Sequence, residues 1–465
     1  MAQVHLPNLK TRESLRGYLN GLALEIGVPL TKRHFAEELD RRDELAHFRD
    51  LFHVPIISEL LDEDEIAGGV DSQEKCVYLN GCSLGLQPKG TQKLVDDELE
   101  KWRKRGIRGH YMGEHPWYPI EDEVVAESAK LVGADCQEVT VMNSLTVNIH
   151  LGLASFYKPT KERFKILMES EPFPSDKYAV ESQILWHGLD PSKTIIYAHP
   201  REGETIWRTE DIIKKIEEEG DSIALVYFSG VHYTSGHLFD IRSITMAAHS
   251  KGCYAGFDLA HAAGNVELHL HEWEVDFACW CTYKYINSGP GSIAGFFVHT
   301  KQWDRPRLAG WWSHDRNSRL SMPGVLQLQP GAAGFQLSNP PVLQMMCLLG
   351  SLNVFKMTSM TQLTKKSRIL TTYLELLLED INETFATNFM SIVTSSDPAE
   401  RGCQLSLHFE HSAGDIQKFL RNHGVVTDTR GANGLRVCPV PLYNTFVDVL
   451  RFRDALEHSM AHMLK

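Results

Sequence analysis

No apolar run in this 465-residue chain approaches the roughly 20 residues that a membrane-spanning helix requires; the longest, such as 342–350, fall well short. No membrane span is therefore expected. A surplus of positive charge is missing too, since 47 Lys and Arg stand against 60 Asp and Glu, for a formal net charge of -13. Without a chain-wide basic footprint, nucleic-acid binding is not the default. Residues 1–20 lack the apolar core of a secretory signal, and Glu13 and Glu25 interrupt the acid-poor pattern of a transit peptide, so a cytoplasmic address is expected. The nine cysteines are odd in number and scattered from Cys76 to Cys438; only Cys279 and Cys281 lie close together. A Cys-x-Cys pair is not a zinc-ligand spacing, so buried reduced thiols are expected, with no metal and no disulfide framework.

What is present fits an ordinary folded protein: 43% hydrophobic and 23% charged residues, in a chain too long for one compact core. Residues 1–75 read as a charged, helix-rich segment packing on the main body. From residue 76 a short strand, a turn and a helix over 88–105 succeed one another, with Val95, Leu99 and Trp102 at helical spacing. Between 138 and 299, strands expected at 139–142, 164–168, 194–197, 223–228, 253–257, 277–281 and 293–298 alternate with helical stretches. That alternation predicts an α/β domain over 76–338, with a mainly parallel sheet covered on both faces and ligands at the carboxyl ends of its strands. After Asn339-Pro340-Pro341 a smaller α+β domain is expected over 339–465.

Three local patterns carry chemistry. Lys284 follows an apolar strand and precedes the turn Asn287-Ser288-Gly289-Pro290-Gly291-Ser292. An amine held in such a dry pocket has a lowered pKa and can condense with a carbonyl; alone, a strand-end lysine more often reaches solvent. Asp258 ends the strand over 253–257, where a carboxylate can keep a pyridinium ring protonated or simply cap the next helix. The stretch Met142-Asn143-Ser144-Leu145-Thr146-Val147 runs from a strand into a helix, whose free N–H groups and dipole attract an anion; many such turns carry Ser or Thr only as a cap.

Cradle, acid and lysine in this order resemble the fold-type-I pyridoxal-phosphate enzymes of the class V aminotransferase branch. Within that branch the chain resembles the kynureninase family over nearly its whole length. The resemblance rests on Asn80-Gly81-Cys82-Ser83-Leu84-Gly85-Leu86-Gln87-Pro88, 142–148, Phe173-Pro174-Ser175-Asp176, Phe228-Ser229-Gly230-Val231-His232, 256–267, 276–285, Gly310-Trp311, Ser338-Asn339-Pro340-Pro341 and 436–444. It implies pyridoxal 5'-phosphate as cofactor, with Lys284 as the lysine that carries it, Asp258 as partner of the pyridine nitrogen, and Tyr283 beside them as a further catalytic candidate. Leu145, Thr146, Phe173, Pro174, Ser175, Asp176, Ser229 and His261 complete the implied cofactor shell, Phe173 by stacking. Trp311 and Asn339 are implied from across a subunit interface, hence a homodimer. For the substrate, the resemblance implies Arg436 at the α-carboxylate and Ser83, His110, His314 and Asn339 around the aromatic ring.

The implied reaction is hydrolytic Cβ–Cγ cleavage of kynurenine or 3-hydroxykynurenine to an anthranilate and alanine, in tryptophan catabolism and pyridine-nucleotide biosynthesis. One departure stands out: the family commonly has a tyrosine where this chain has Thr234, and here the tyrosine comes one position earlier, at Tyr233. A desulfurase or transaminase of the same branch is the nearest alternative. A desulfurase needs a reactive cysteine on an exposed loop, and Cys347 lies inside an apolar helical pattern. A cofactor-free scaffold would be expected to have lost Lys284, Asp258 or Arg436, and all three are present.

Overall fold

The computed structural model describes residues 5–385 and 389–463, so the first four residues of the expected N-terminal segment lie outside it. The described residues separate into two compact units. One comprises Gly90–Tyr233 and Phe239–Met357; the other draws on the described residues of 5–89, Thr234–Leu238 and 358–463.

The first unit is built on seven strands: β1 Val139–Met142, β2 Lys165–Glu169, β3 Ile195–Ala198, β4 Ile223–Ser229, β5 Tyr254–Asp258, β6 Phe277–Cys281 and β7 Ala294–Val298. Their spatial order is β1-β7-β6-β5-β4-β2-β3. All run the same way except β7, which is antiparallel to both neighbours. Each expected strand is found, with ends displaced by a residue or so. β6 and β7 are buried at every position, as continuous apolar runs of a doubly covered sheet should be. The crossover helices show the complementary pattern: Thr209–Glu219 buries Ile212 and Ile216 one turn apart, and Ile241–Ser250 is capped by the Asp240 carboxylate accepting from the Ser243 N–H.

Aromatic packing sets the spacing beneath the sheet. Phe156 stacks on Phe277 with ring centroids 4.6 Å apart. Glycine is required where these rings press on the backbone: a Cβ on Gly256 would overlap the Phe277 ring, and one on Gly295 the Trp280 indole.

The second unit corrects the expected division of the chain. It joins the N-terminal helices to the C-terminal part of the chain: helix Arg12–Ile26 buries Leu15, Leu19 and Leu22 in one core with Ile369, Tyr373 and Leu377 of helix Met360–Phe385. Arg12 forks onto Glu375 across that contact, at 3.1 and 2.8 Å. The same unit holds an antiparallel sheet ordered Asp428–Arg430, Gly434–Val437, Leu405–Phe409, Met390–Ile392. Helix Val342–Phe355, expected in the C-terminal domain, belongs instead to the sheet unit. There Gly350 sits so close to Thr91 of helix Gly90–Arg105 that any side chain would collide.

The helix expected over 88–105 is observed at Gly90–Arg105. Its Leu99 and Trp102, at helical spacing, are 41% and 64% exposed. Among the described residues no helix is long and apolar enough to cross a membrane.

Because the Gly295 Cα faces an indole that cannot retreat from the buried sheet, Gly295→Ala should destabilise the protein by about 1–3 kcal/mol. A chemical-denaturation midpoint that moves down with an unchanged slope is the expected result.

Candidate active site

Strand ends of the sheet unit converge on one cavity. Ser144, Leu145 and Thr146 line it after β1, Phe173, Ser175 and Asp176 after β2, and Ser229, Val231 and Tyr233 at and after β4. Asp258, Ala260 and His261 come from β5 and its following turn, and Tyr283 and Lys284 from the end of β6.

The turn after β1 is held by side chains. Asn143 has a positive φ of 51° and donates from Nδ2 to Asn148 Oδ1 at 3.0 Å, while Asn148 Nδ2 donates to the Met142 carbonyl at 3.0 Å. Helix Leu145–Phe156 starts immediately, and its N-cap Ser144 makes no side-chain cap bond. The first-turn N–H groups thus lack intrahelical carbonyls and form an anion cradle beside the cavity. Thr146 is no cap either: its Oγ1 lies 2.6 Å from Ser175 Oγ. Pro174 opens helix Pro174–Trp186, with Phe173 just before it. Phe173 is 42% exposed, edge-on to Tyr233 at 5.2 Å, and offers the cavity an apolar face.

Lys284 is held by the turn behind it, where the Asn287 N–H donates to the Lys284 carbonyl at 3.0 Å and the Ser288 N–H to the Thr282 carbonyl at 3.0 Å. Only 9% of Lys284 is exposed. Its Nζ is 2.9 Å from His261 Nε2 and lies 5.8 Å from the Phe173 ring centre. Asp258 Oδ1 accepts from the Ala260 N–H at 2.8 Å, within a run of turns, so the helix that the sequence reading allowed it to cap is not formed.

Electrostatics single out a group of three buried carboxyls. Burial raises Asp258, and the Lys284 ammonium opposes that rise. Burial raises Asp176 well above the carboxylate range, reinforced by Asp258 and Glu169. Asp176 therefore keeps its proton and Asp258 ionises first. Tyr227 from β4 donates its hydroxyl to Asp176 Oδ1 at 3.0 Å. Burial pushes Glu169 up to about 7, and its Oε1 accepts from the Ser229 N–H at 3.1 Å. Tyr283 is also raised, by burial first.

Glu169, Tyr227 and Asn148 are site residues that sequence reasoning missed. Glu169 was findable, because it closes the run Lys-Ile-Leu-Met-Glu just as Asp258 closes Tyr-Ala-Gly-Phe-Asp. Of the sequence-selected residues, Trp311, Asn339, His110 and His314 belong to the sheet unit but not to the cavity lining. Trp311 is half exposed and Asn339 exposed. His110 packs edge-on to Trp117. His314 is buried, its Nε2 bonded to Ser318 Oγ at 2.9 Å and its Nδ1 accepting from the Gln327 N–H at 3.1 Å. Ser83 and Arg436 belong to the other unit, where Arg436 pairs with Asp428. Between the two residues left open, Tyr233 lines the cavity, whereas Thr234 falls in the other unit, its carbonyl accepting from Ser406 Oγ at 2.5 Å.

Solved structures share this architecture. A cysteine desulfurase from Escherichia coli superposes with a TM-score of 0.69 at 15% identity, covering 90% of this chain and 99% of that one. One from Thermococcus onnurineus gives 0.68 at 16%, covering 88% and 98%. The fold is that of the fold-type-I pyridoxal-phosphate enzymes. Residues 363–456 match the family described as kynureninase C-terminal domain. A kynureninase from Nematostella vectensis is 49% identical over 94% of this chain and 96% of its own, and one from Homo sapiens 47% over 94% of each. The chain belongs to the kynureninase family.

His232, behind the Ser229 turn, is buried with Nε2 at 3.0 Å from the Glu171 carbonyl, and burial depresses it to about 4. Between about pH 6.5 and about 4 the unfolded chain binds this proton and the folded chain does not, so stability falls as pH falls through that window, by up to about 3 kcal/mol. In His232→Gln, unfolding free energies measured at intervals across the window should decline less steeply than in the wild type.

Proposed function

We propose that this protein uses pyridoxal 5'-phosphate to hydrolyse kynurenine or 3-hydroxykynurenine to anthranilate or 3-hydroxyanthranilate and alanine. The observation that carries this reading is Lys284 and Asp258 sharing one buried cavity, in a chain aligned with kynureninases over nearly its whole length. The residues fit the cofactor. A desolvated carboxylate that needs a cationic partner, a helix start with free N–H groups and a half-exposed phenyl face answer to a pyridinium, a phosphate and a flat ring.

Leu145 and Thr146 would hold the phosphate, with Tyr233 as the neighbouring hydroxyl and Ser175 fixing Thr146. Phe173 would stack on the ring, and Ser229, Asp176 and His261 would close the shell. Bound there, the cofactor supplies an electron sink for the substrate's α-carbon. Lys284 Nζ moves the α-proton, and His261 Nε2, 2.9 Å away, orients that amine and can share its proton. Asp258 holds its negative charge because Asp176 retains a proton beside it. Tyr283 keeps its hydroxyl proton because burial raises it, so it acts as a donor. Arg436, Ser83, His110, His314, Asn339 and Trp311 are proposed as substrate and cofactor contacts on the family resemblance. A desulfurase reading is disfavoured, since Cys347 sits within helix Val342–Phe355 and burial raises its thiol.

The working form we propose is a cytoplasmic homodimer. Leu99, Trp102, Ile107 and Tyr111 form a run of exposed apolar side chains on one stretch of the sheet unit, a surface suited to a second copy.

Purified protein with pyridoxal phosphate should cleave at least one of the two substrates, and Lys284→Ala should lose turnover by about a thousandfold or more. Cofactor binding without cleavage of either would sink the assignment. Light scattering should give twice the 52.6 kDa chain mass, and Trp102→Glu should shift the protein towards monomer; a wild-type monomer would refute the dimer.

A further inference from the structure

Glu169 has no part in the roles above, yet it is one of three carboxyl groups shut into the end of the sheet, and only 2% of it is exposed. It ends β2, its Oε1 takes the Ser229 N–H at 3.1 Å, and Ser229 is the register partner of Asp258 on the adjacent strand. The backbone continues the connection, because the next N–H, that of Gly230, donates to the Asp258 carbonyl at 2.7 Å. Glu169 is thus one hydrogen bond from a residue lining the cavity and one strand from the carboxylate beneath it.

The groups around it define its charge. Asp258 on β5 and Asp176 on the helix after β2 are further carboxyl groups that disfavour a charge on it, and Tyr227 on β4 is committed to Asp176. His232 is held neutral by burial. β3, of sequence Ile-Ile-Tyr-Ala, adds no carboxylate or amine. Among the described residues, the cation that acts most on the group is Lys284, and it acts on Asp258. One cation cannot hold three buried anions, so protons must occupy the others.

We propose that Glu169 is a positioning residue that sets the charge under the cofactor. Protonated, it leaves Asp258 as the single anion; ionised, with its proton lost to solvent, it adds a second negative charge and strengthens the hold on protons at Lys284 and the cofactor ring. A purely structural role would need only an acceptor for the Ser229 N–H, which a glutamine amide supplies equally well. Burial places the change near neutrality, at about 7.

This inference rests on the cofactor assignment above, and the test separates the two. Infrared difference spectra of cofactor-free protein carrying carbon-13 glutamate should show a protonated carboxyl lost as pH rises through about 7 and missing from Glu169→Gln. In loaded protein, the visible absorption of the bound cofactor should change over the same interval in the wild type and not in Glu169→Gln, with thermal midpoints alike. Glu169→Asp should restore the step. Absence of the carboxyl band, or a cofactor titration identical in wild type and Glu169→Gln, overturns the proposal. Failure of the wild type to bind the cofactor at all would instead overturn the earlier assignment, and the infrared result would still decide whether Glu169 holds the proton.

Discussion

A negative charge at the dry end of a parallel sheet can persist only beside a positive one, and the sheet unit is organised around that requirement. Asp258 ends β5 at a position 5% exposed, with Lys284 arriving from the end of the adjacent β6. Neither would be tolerated alone, because an isolated buried ion costs several kcal/mol. Their proximity depends on the β5–β6 register, which pairs Asp258 with Cys279 and leaves the chain a short turn in which to bring Lys284 back. That register depends in turn on Gly256, whose missing side chain is replaced by the Phe277 ring.

The surrounding polar groups distribute protons so that the pair stays a pair. Asp176 is kept neutral, and its partner Tyr227 is a buried residue of β4, so the acid has little freedom to turn away. The turn after Lys284 is bonded to itself, which keeps the lysine backbone in place whatever its amine is doing. The cavity thus combines a rigid frame with a few titratable atoms, an arrangement found where pKa values are tuned for chemistry.

Much of this was legible in the sequence, for identifiable reasons. Strands such as Phe-Ala-Cys-Trp-Cys are continuous apolar runs that only a doubly covered sheet accommodates, and a charged residue closing such a run marks a strand end. Lys284 and Asp258 are visible on that basis; Glu169 obeys the same rule but falls one residue beyond the strand expected at 164–168. The unit boundaries were not legible. Helical spacing of Leu15, Leu19 and Leu22 states that a face is buried, not that its partner is helix Met360–Phe385, hundreds of residues away. The spacing of Leu99 and Trp102 likewise marks a helix and not which of its faces is covered; the structure leaves both exposed.

The antiparallel strand β7 of the seven-stranded sheet bears on how the protein is assembled. Among the described residues β1 lies at the sheet edge and pairs with β7 alone, so Val139 waits for Phe297 before it has a partner. The turn that carries Leu145 and Thr146 hangs from β1, and ribosomal synthesis delivers its docking strand after every other strand of that sheet has emerged. Such distant pairing is slow to form, and a nascent chain stalled before β7 would hold a row of unsatisfied backbone groups on both β1 and β6. The helix start that carries Leu145 and Thr146 is therefore among the last features of the sheet to be fixed in place, and a chain in which it stands ready is one whose sheet has already closed.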